Sequence, residues 1–203
     1  AHRKAFGKRL AEHSLMQNVL ADLALETEAA TLLAFRLARA FDLAGSEERE
    51  SLLARLKTPI AKYWLCKRNP ALALEAMECL GGNGYVEEAP LSRLFREAPV
   101  NGIWEGSGNV ICLDVLRSMR REPRSVEALL GEIAGAGERF KVLAERIALQ
   151  LKDFDALEQQ ARRIVEMLAV ALEASLMARH SQGTAAEAFC ASRLDGDWGR
   201  VFG

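Results

Sequence analysis

No run of apolar residues approaches the ~20 needed to cross a bilayer, and no charged-then-apolar leader opens the chain. A cytoplasmic protein with no membrane partner is therefore expected. The four cysteines, Cys66, Cys79, Cys112 and Cys190, lie far apart, without a C-x-x-C pair. That excludes a disulfide framework and predicts reduced, mostly buried thiols. The three histidines, His2, His13 and His180, share no ligand spacing with one another or with the cysteines, so no metal site is expected. Charge of one sign is also missing: 27 Lys and Arg face 28 Asp and Glu, which excludes a global basic footprint for nucleic acid. Ser107 has no nucleophile-elbow context, so a Ser-His-Asp hydrolase is unsupported.

What is present is helical pattern. Half of the 203 residues are hydrophobic and 27% are charged, the balance of a folded globular chain. The first residue is Ala1, not a methionine, and the chain reads as a piece of something longer. Met16, Leu20, Leu23, Ala30, Ala34, Leu37 and Phe41 form one stripe of a helix over roughly His13 to Leu43. Gly45 ends it, and Ser46 is expected to cap a second helix. Thr58-Pro59 and Asn69-Pro70 each pair a capping residue with proline, so each can start or restart a helix. A helix from Pro70 to Leu80 stops at Gly81, and another begins near Glu105 and runs through Arg121. Glycines 131, 135 and 137 interrupt Val126 to Leu151. Leu157, Ala161, Ile164, Leu168, Leu172 and Leu176 make an amphipathic helix. No convincing strand, internal repeat or linker is found, and Val86 to Ile103 reads as irregular. The fold class is all-α, an antiparallel up-and-down bundle with one unusual loop in its middle.

Residues 81 to 109 carry most of the chemistry. Gly81-Gly82-Asn83-Gly84 follows a helix end, where it is either a plain C-cap and turn or a backbone that lets a bulky anion approach. It is not a Rossmann fingerprint, because no strand precedes it. Ile103-Trp104-Glu105-Gly106-Ser107-Gly108-Asn109 sets a carboxylate beside an aromatic residue and two glycines at a helix start. Glu105 is either a solvated first-turn acid that favours the helix dipole, or a general base whose pKa its apolar neighbours raise. Arg117 lies twelve residues on, about three turns along the helix, and reaches Glu105 only through a bend.

Glu75 to Tyr85 (EAMECLGGNGY), Arg93 to Glu97 (RLFRE), Ile103 to Ser107 (IWEGS) and the opening Arg3 to Lys8 (RKAFGK) together resemble the C-terminal helical domain of acyl-CoA dehydrogenases. Thr58-Pro59, Cys66-Lys67-Arg68 and Leu113 to Arg117 are most similar to an alkylation-response branch of that family. The roughly eighty residues after Arg120 resemble that branch's helical extension. On this resemblance residues 1–121 are the family's bundle and 122–203 an extension packed on it.

The resemblance implies an oxidoreductase that converts acyl-CoA thioesters to 2-enoyl-CoA with bound FAD. Glu105 matches the carboxylate that removes the α-proton while the β-hydrogen passes as hydride to flavin. Arg117 matches an arginine that hydrogen-bonds the base. Tyr85, Trp104 and Gly106 fall at the acyl site. FAD in this family bridges two subunits of a homodimer or homotetramer. Arg3 matches a phosphate-facing arginine, His13 lies near the adenine segment, and Gly81 and Gly82 match the pyrophosphate loop. Ser107 and Asn109 match a threonine and a glutamine on the flavin nucleotide. Electron-transfer flavoprotein or another acceptor is the implied redox partner.

Three positions depart from the family pattern. Ala5 replaces a hydroxyl residue, Glu78 stands where glutamine is common, and Trp104 replaces a tyrosine. A carboxylate at 78 repels pyrophosphate unless it turns away. The resemblance also implies an amino-terminal helical domain and a middle β-domain outside this chain, so the chain alone is not expected to turn over. Two alternatives remain. A DNA-associated protective flavoprotein would use the run Arg117, Arg120, Arg121 and Arg124, but residues 117–203 hold 13 basic and 13 acidic side chains. A helical assembly module would pack Leu157 to Leu176 between subunits.

Overall fold

The computed structural model describes residues 3–152, 157–197, 199 and 201–203. The chain opens with a hairpin, β1 (Lys4–Ala5) against β2 (Lys8–Arg9), registered Lys4 to Arg9 and Ala5 to Lys8. Its turn places Phe6 at φ 52° and Gly7 at φ 86°, the paired positive values a two-residue hairpin favours. Strands of two residues are too short for alternation to register, which is why the pattern shows none here.

After a 3-10 turn at Leu10–Glu12, α1 (Ser14–Leu43) matches the expected bounds almost to the residue, but its buried face runs through Asp22, Glu26, Ala29, Leu33 and Ala40, and Leu20 and Phe41 of the expected stripe are exposed. The next helix, α2 (Glu48–Cys79), overturns two expectations. Its N-cap residue is Glu47, while Ser46 turns back to donate to the Leu43 carbonyl at 3.2 Å. Pro59 and Pro70 also do not restart helices; both lie inside a continuous α2 of 32 residues. Proline withholds one amide each time, but its fixed φ is helical, and packing on both sides of α2 overrides the local preference. The Thr58 hydroxyl bonds the Ala54 carbonyl at 2.7 Å and caps nothing.

The irregular stretch is helical too: α3 (Gly82–Tyr85), α4 (Pro90–Glu97) and a 3-10 turn at Ala98–Gly102. Then come α5 (Gly108–Arg121), α6 (Pro123–Ala134), α7 (Glu138–Gln150), α8 (Leu157–His180) and α9 (Gly183–Phe189). Helix α9 runs on into a π turn at Cys190–Leu194. Gly131 stays within α6, and the break falls at Gly135 and Gly137. All four cysteines are free, with Cys112 and Cys190 buried and Cys66 and Cys79 half-buried. Among the described residues no helix is long and apolar enough to cross a membrane.

One core joins the helices. Leu33 of α1, Leu53, Leu56 and Ile60 of α2, Val115 of α5, Leu129 and Ile133 of α6, and Leu168 and Leu172 of α8 are all fully buried. Helix α8 is more than amphipathic: Leu168 through Met177 are buried without exception. A helix covered all round belongs at the centre, and α8 packs on α1, α2, α5 and α6. Its apolar stripe is thus consumed within the chain and is not left for another subunit.

Candidate active site

Three residues before α5, the backbone at Glu105 turns left-handed, with φ 53°. Only glycine adopts this region freely, and a glutamate there costs about 1–3 kcal/mol that its surroundings must supply. They do so through Lys62 of α2. Its ammonium donates to the carbonyl of Trp104 at 2.6 Å and of Gly106 at 3.0 Å, clamping the residues on either side of Glu105. Gly106 follows at φ 114°, a conformation that L side chains rarely adopt. At Gly108 a Cβ would come 3.0 Å from Lys67 Cε and 3.4 Å from the Tyr63 ring, so its bare backbone lets α5 start hard against α2.

Glu105 borders a cavity of about 420 Å³ between α1, α2, α8 and the loop at 98–107. Trp104 shares that rim, with Lys62, Trp64 and Arg68 contributed by α2 and Glu26 by α1. Glu173 of α8 lines it as well. The floor is polar. Arg68 forms a fork on Glu26 at 2.9 and 3.2 Å, and Arg193 of the π turn reaches Glu26 at 3.1 Å and Asp22 at 2.6 Å. The Glu173 carboxyl accepts the Trp64 indole N–H at 2.8 Å. Burial pushes that carboxyl up to about 8, against the pull of the indole bond, with Glu26 nearby adding to the rise.

A second region assembles at the helix hairpin. Arg3 donates to the Leu80 carbonyl at 3.2 Å, 77 residues away in sequence. Gly81 stands at φ 60° and ψ −146°, and a Cβ there would lie 3.1 Å from Arg3 Nη1. Nothing lies within 4 Å of a Cβ at Gly82. Arg3 and the Gly81-Gly82 backbone, distant in sequence, thus meet on an open face suited to an anion. Glu78 is exposed and forms no ion pair with Arg3 among the described residues. The His13 ring bonds the Ala5 carbonyl at 3.0 Å and meets the Phe6 ring edge-on, so it braces the hairpin that carries Arg3.

Other candidates fall elsewhere. Arg117 pairs with Asp114 at 3.6 Å near the end of α5, and nine residues of unbroken helix separate it from Gly108. At ~1.5 Å per residue that is about 13 Å, and no bend returns it to Glu105. Tyr85 is 74% exposed at the end of α3 and does not line the cavity. Ser107 is the N-cap residue of α5 but makes no capping bond with its side chain, and both it and Asn109 are exposed. Glu105 is exposed also, as are Ile103 (65%) and Trp104 (58%), so the drying expected from these neighbours is not supplied by them. The basic run is partly neutralised, Arg117 by Asp114 and Arg124 by Glu48.

The residues that the pattern did not single out are Lys62, Glu26 and Glu173, and Arg68 stood out only within the Cys66-Lys67-Arg68 resemblance, with no role at the site. A lysine or glutamate on a helix reads as solvated, and nothing local tells which of these points inward.

The profile of "Acyl-CoA dehydrogenase, C-terminal domain" matches residues 1–120, and the chain belongs to the acyl-CoA dehydrogenase family. AidB of Escherichia coli (strain K12) is 41% identical over 196 residues, covering 95% of this chain and 36% of that protein. Acyl-CoA dehydrogenase family member 11 of Caenorhabditis elegans is 35% identical over 165 residues, 76% of this chain and 27% of its own. In three dimensions the chain is similar to Caenorhabditis elegans ACDH-11 in complex with C11-CoA, at a TM-score of 0.79 and 27% identity, covering 95% of this chain and 38% of that one. The chain therefore spans about a third of the length of its relatives.

Proposed function

We propose that this chain is the C-terminal part of an FAD-dependent acyl-CoA dehydrogenase-like flavoprotein and that Glu105 is its base. Residues 1–121 form the family's bundle in this reading, and 122–203 its extension. The observation that carries it is the strained backbone at Glu105, held by Lys62 on the rim of a 420 Å³ cavity. Strain kept up by a dedicated clamp is the mark of a positioned functional group.

The residues present fit the cofactor. Arg3 with the Gly81-Gly82 backbone suits the pyrophosphate, and Glu78 turned to solvent relieves the expected repulsion. Ser107, Asn109 and His13 are the further nucleotide contacts in this reading. Bound FAD supplies the acceptor for the β-hydrogen and its electron pair. Glu105 takes the α-proton, and its backbone N–H polarises the thioester carbonyl. Trp104 and Gly106 border the acyl group. Drying of the exposed Glu105 falls to the acyl-CoA, the flavin and the domains outside this chain. Leu15 (80%), Phe35 (72%) and Phe41 (58%), left exposed on α1, support a homo-oligomer.

The test is Glu105→Gln in the full-length protein, read by exchange of the acyl α-proton with solvent deuterium. Exchange should fall on the order of 10²–10⁴-fold while FAD stays bound. Unchanged exchange would remove Glu105 from the role.

A further inference from the structure

The cavity beside Glu105 carries a buried acid, Glu173, in its lining. Glu173 is 3% exposed and lines the cavity. One of its carboxyl oxygens accepts from Trp64; the other has no hydrogen-bond partner among the described residues. The charges around it are already matched. Arg68 and Arg193 stand against Glu26 and Asp22, and among the described residues no cation forms an ion pair with Glu173. Burial and this charge balance keep it protonated near neutrality, with a carboxyl pushed up to about 8. A protonated carboxyl has an O–H to give, and Trp64, itself a donor, cannot take it.

Plain hydrocarbon has another place to go. Past Asn69, Leu72 and Asn101, which line both spaces, lies an adjoining recess of about 300 Å³ walled by Leu23, Ala73, Leu91 and Leu94. A saturated chain in the first cavity would bury the Glu173 hydroxyl against methylenes and leave it unsatisfied. A ligand carboxylate would meet Glu26 and Asp22, and a cation would meet Arg68.

We propose that the cavity selects an acyl group bearing an uncharged oxygen, a hydroxyl or carbonyl, away from the thioester, and that Glu173 is the specificity-determining residue that hydrogen-bonds it. This rests on the reading of Glu105 as the base for an acyl-CoA. It also gives the extension a share in the site, since Glu173 lies 53 residues beyond the end of the family match at 120.

The test uses the full-length, FAD-loaded protein and two acyl-CoA thioesters of equal length, one with a hydroxyl near its far end and one without. Equilibrium binding is measured alongside α-proton exchange. Wild type should bind the hydroxylated ligand about tenfold more tightly. Glu173→Gln, a neutral donor, should keep that preference and remove its decline above about pH 8. The groups facing Glu173 are Trp64 and Arg68 from α2, Asp22 and Glu26 from α1, and Arg193 from the π turn. Glu173→Leu should erase the preference while binding the plain ligand as wild type does, which shows that the Trp64 wall has survived. Equal binding of the two ligands by wild type, or an unchanged ratio in Glu173→Leu, overturns the proposal. Loss of exchange in Glu105→Gln is read separately, so a failed base leaves the binding preference to stand or fall by itself.

Discussion

At Glu105 stability and chemistry pull in opposite directions. A φ of 53° suits glycine, and Lys62 is occupied in holding the Trp104 and Gly106 carbonyls on either side. Glu105→Gly should therefore make the protein more stable, by about 1 kcal/mol, while abolishing α-proton removal. A higher denaturant midpoint at constant slope is the expected result; a lower one would mean that the glutamate side chain contributes more than its backbone costs. The candidate glutamate was legible because its neighbours are unusual: an aromatic residue before it and glycines after it. Its clamp was not. Lys62 lies on a helix rich in charge, and only the fold brings 62 and 105 together.

The helices illustrate where local signals hold and where they yield. Helix α1 kept its expected bounds because a 30-residue helical pattern outweighs any single residue, yet its buried face fell on Asp22, Glu26, Ala29, Leu33 and Ala40 and not on the expected stripe. In α2 the Thr-Pro and Asn-Pro pairs signalled starts, yet the helix ran through both prolines because its packing partners span them. The short hairpin went unseen, having too few residues to alternate. It nevertheless matters, since it delivers Arg3 to the end of α2. Gly81 and Gly82 look equivalent in sequence and are not. Gly81 holds φ 60°, ψ −146°, and a side chain would press on Arg3, whereas Gly82 is unencumbered. Gly81→Ala should cost about 1–3 kcal/mol and lower the FAD content of the purified full-length protein. Gly82→Ala should leave the thermal midpoint within a degree or two and, having an open face, affect FAD less. Equal effects of the two would mean that Arg3 and the left-handed turn do not form the anion seat.

Across the molecule, α8 packs on α1, α2, α5 and α6, and a buried ionic centre fixes how four helices meet. Arg36 of α1 forks onto Glu50 of α2 at 2.8 and 2.9 Å and onto Glu132 of α6 at 3.0 and 2.7 Å. Lys57 of α2, with no exposure at all, bonds Glu132, and Arg179 of α8 approaches the same carboxylate at 3.7 Å. The members are not equally dependent on one another. Burial opposes the charge on Glu132, but Lys57 and then Arg36 more than offset it and hold its carboxyl below the usual range. Lys57 has one partner, and burial prevails, pushing its ammonium down to about 8. Removing Glu132 therefore strands the buried Lys57 and leaves Arg36 with Glu50 alone, whereas removing Lys57 leaves Glu132 with Arg36 and Arg179. Glu132→Gln should cost about 3–5 kcal/mol, and Lys57→Met distinctly less, since a methionine fills the space without a charge to solvate. Acid adds a second readout. A carboxyl lowered by folding stabilises the native state above its unfolded pKa of 4.5 and loses that contribution as pH falls through the folded value. Wild type should lose stability there, and Glu132→Gln should lose less over the same interval. Denaturation midpoints of the three proteins at neutral and acid pH decide the matter: if Lys57→Met is the more damaging change, the lysine and not the glutamate is the hub of the centre.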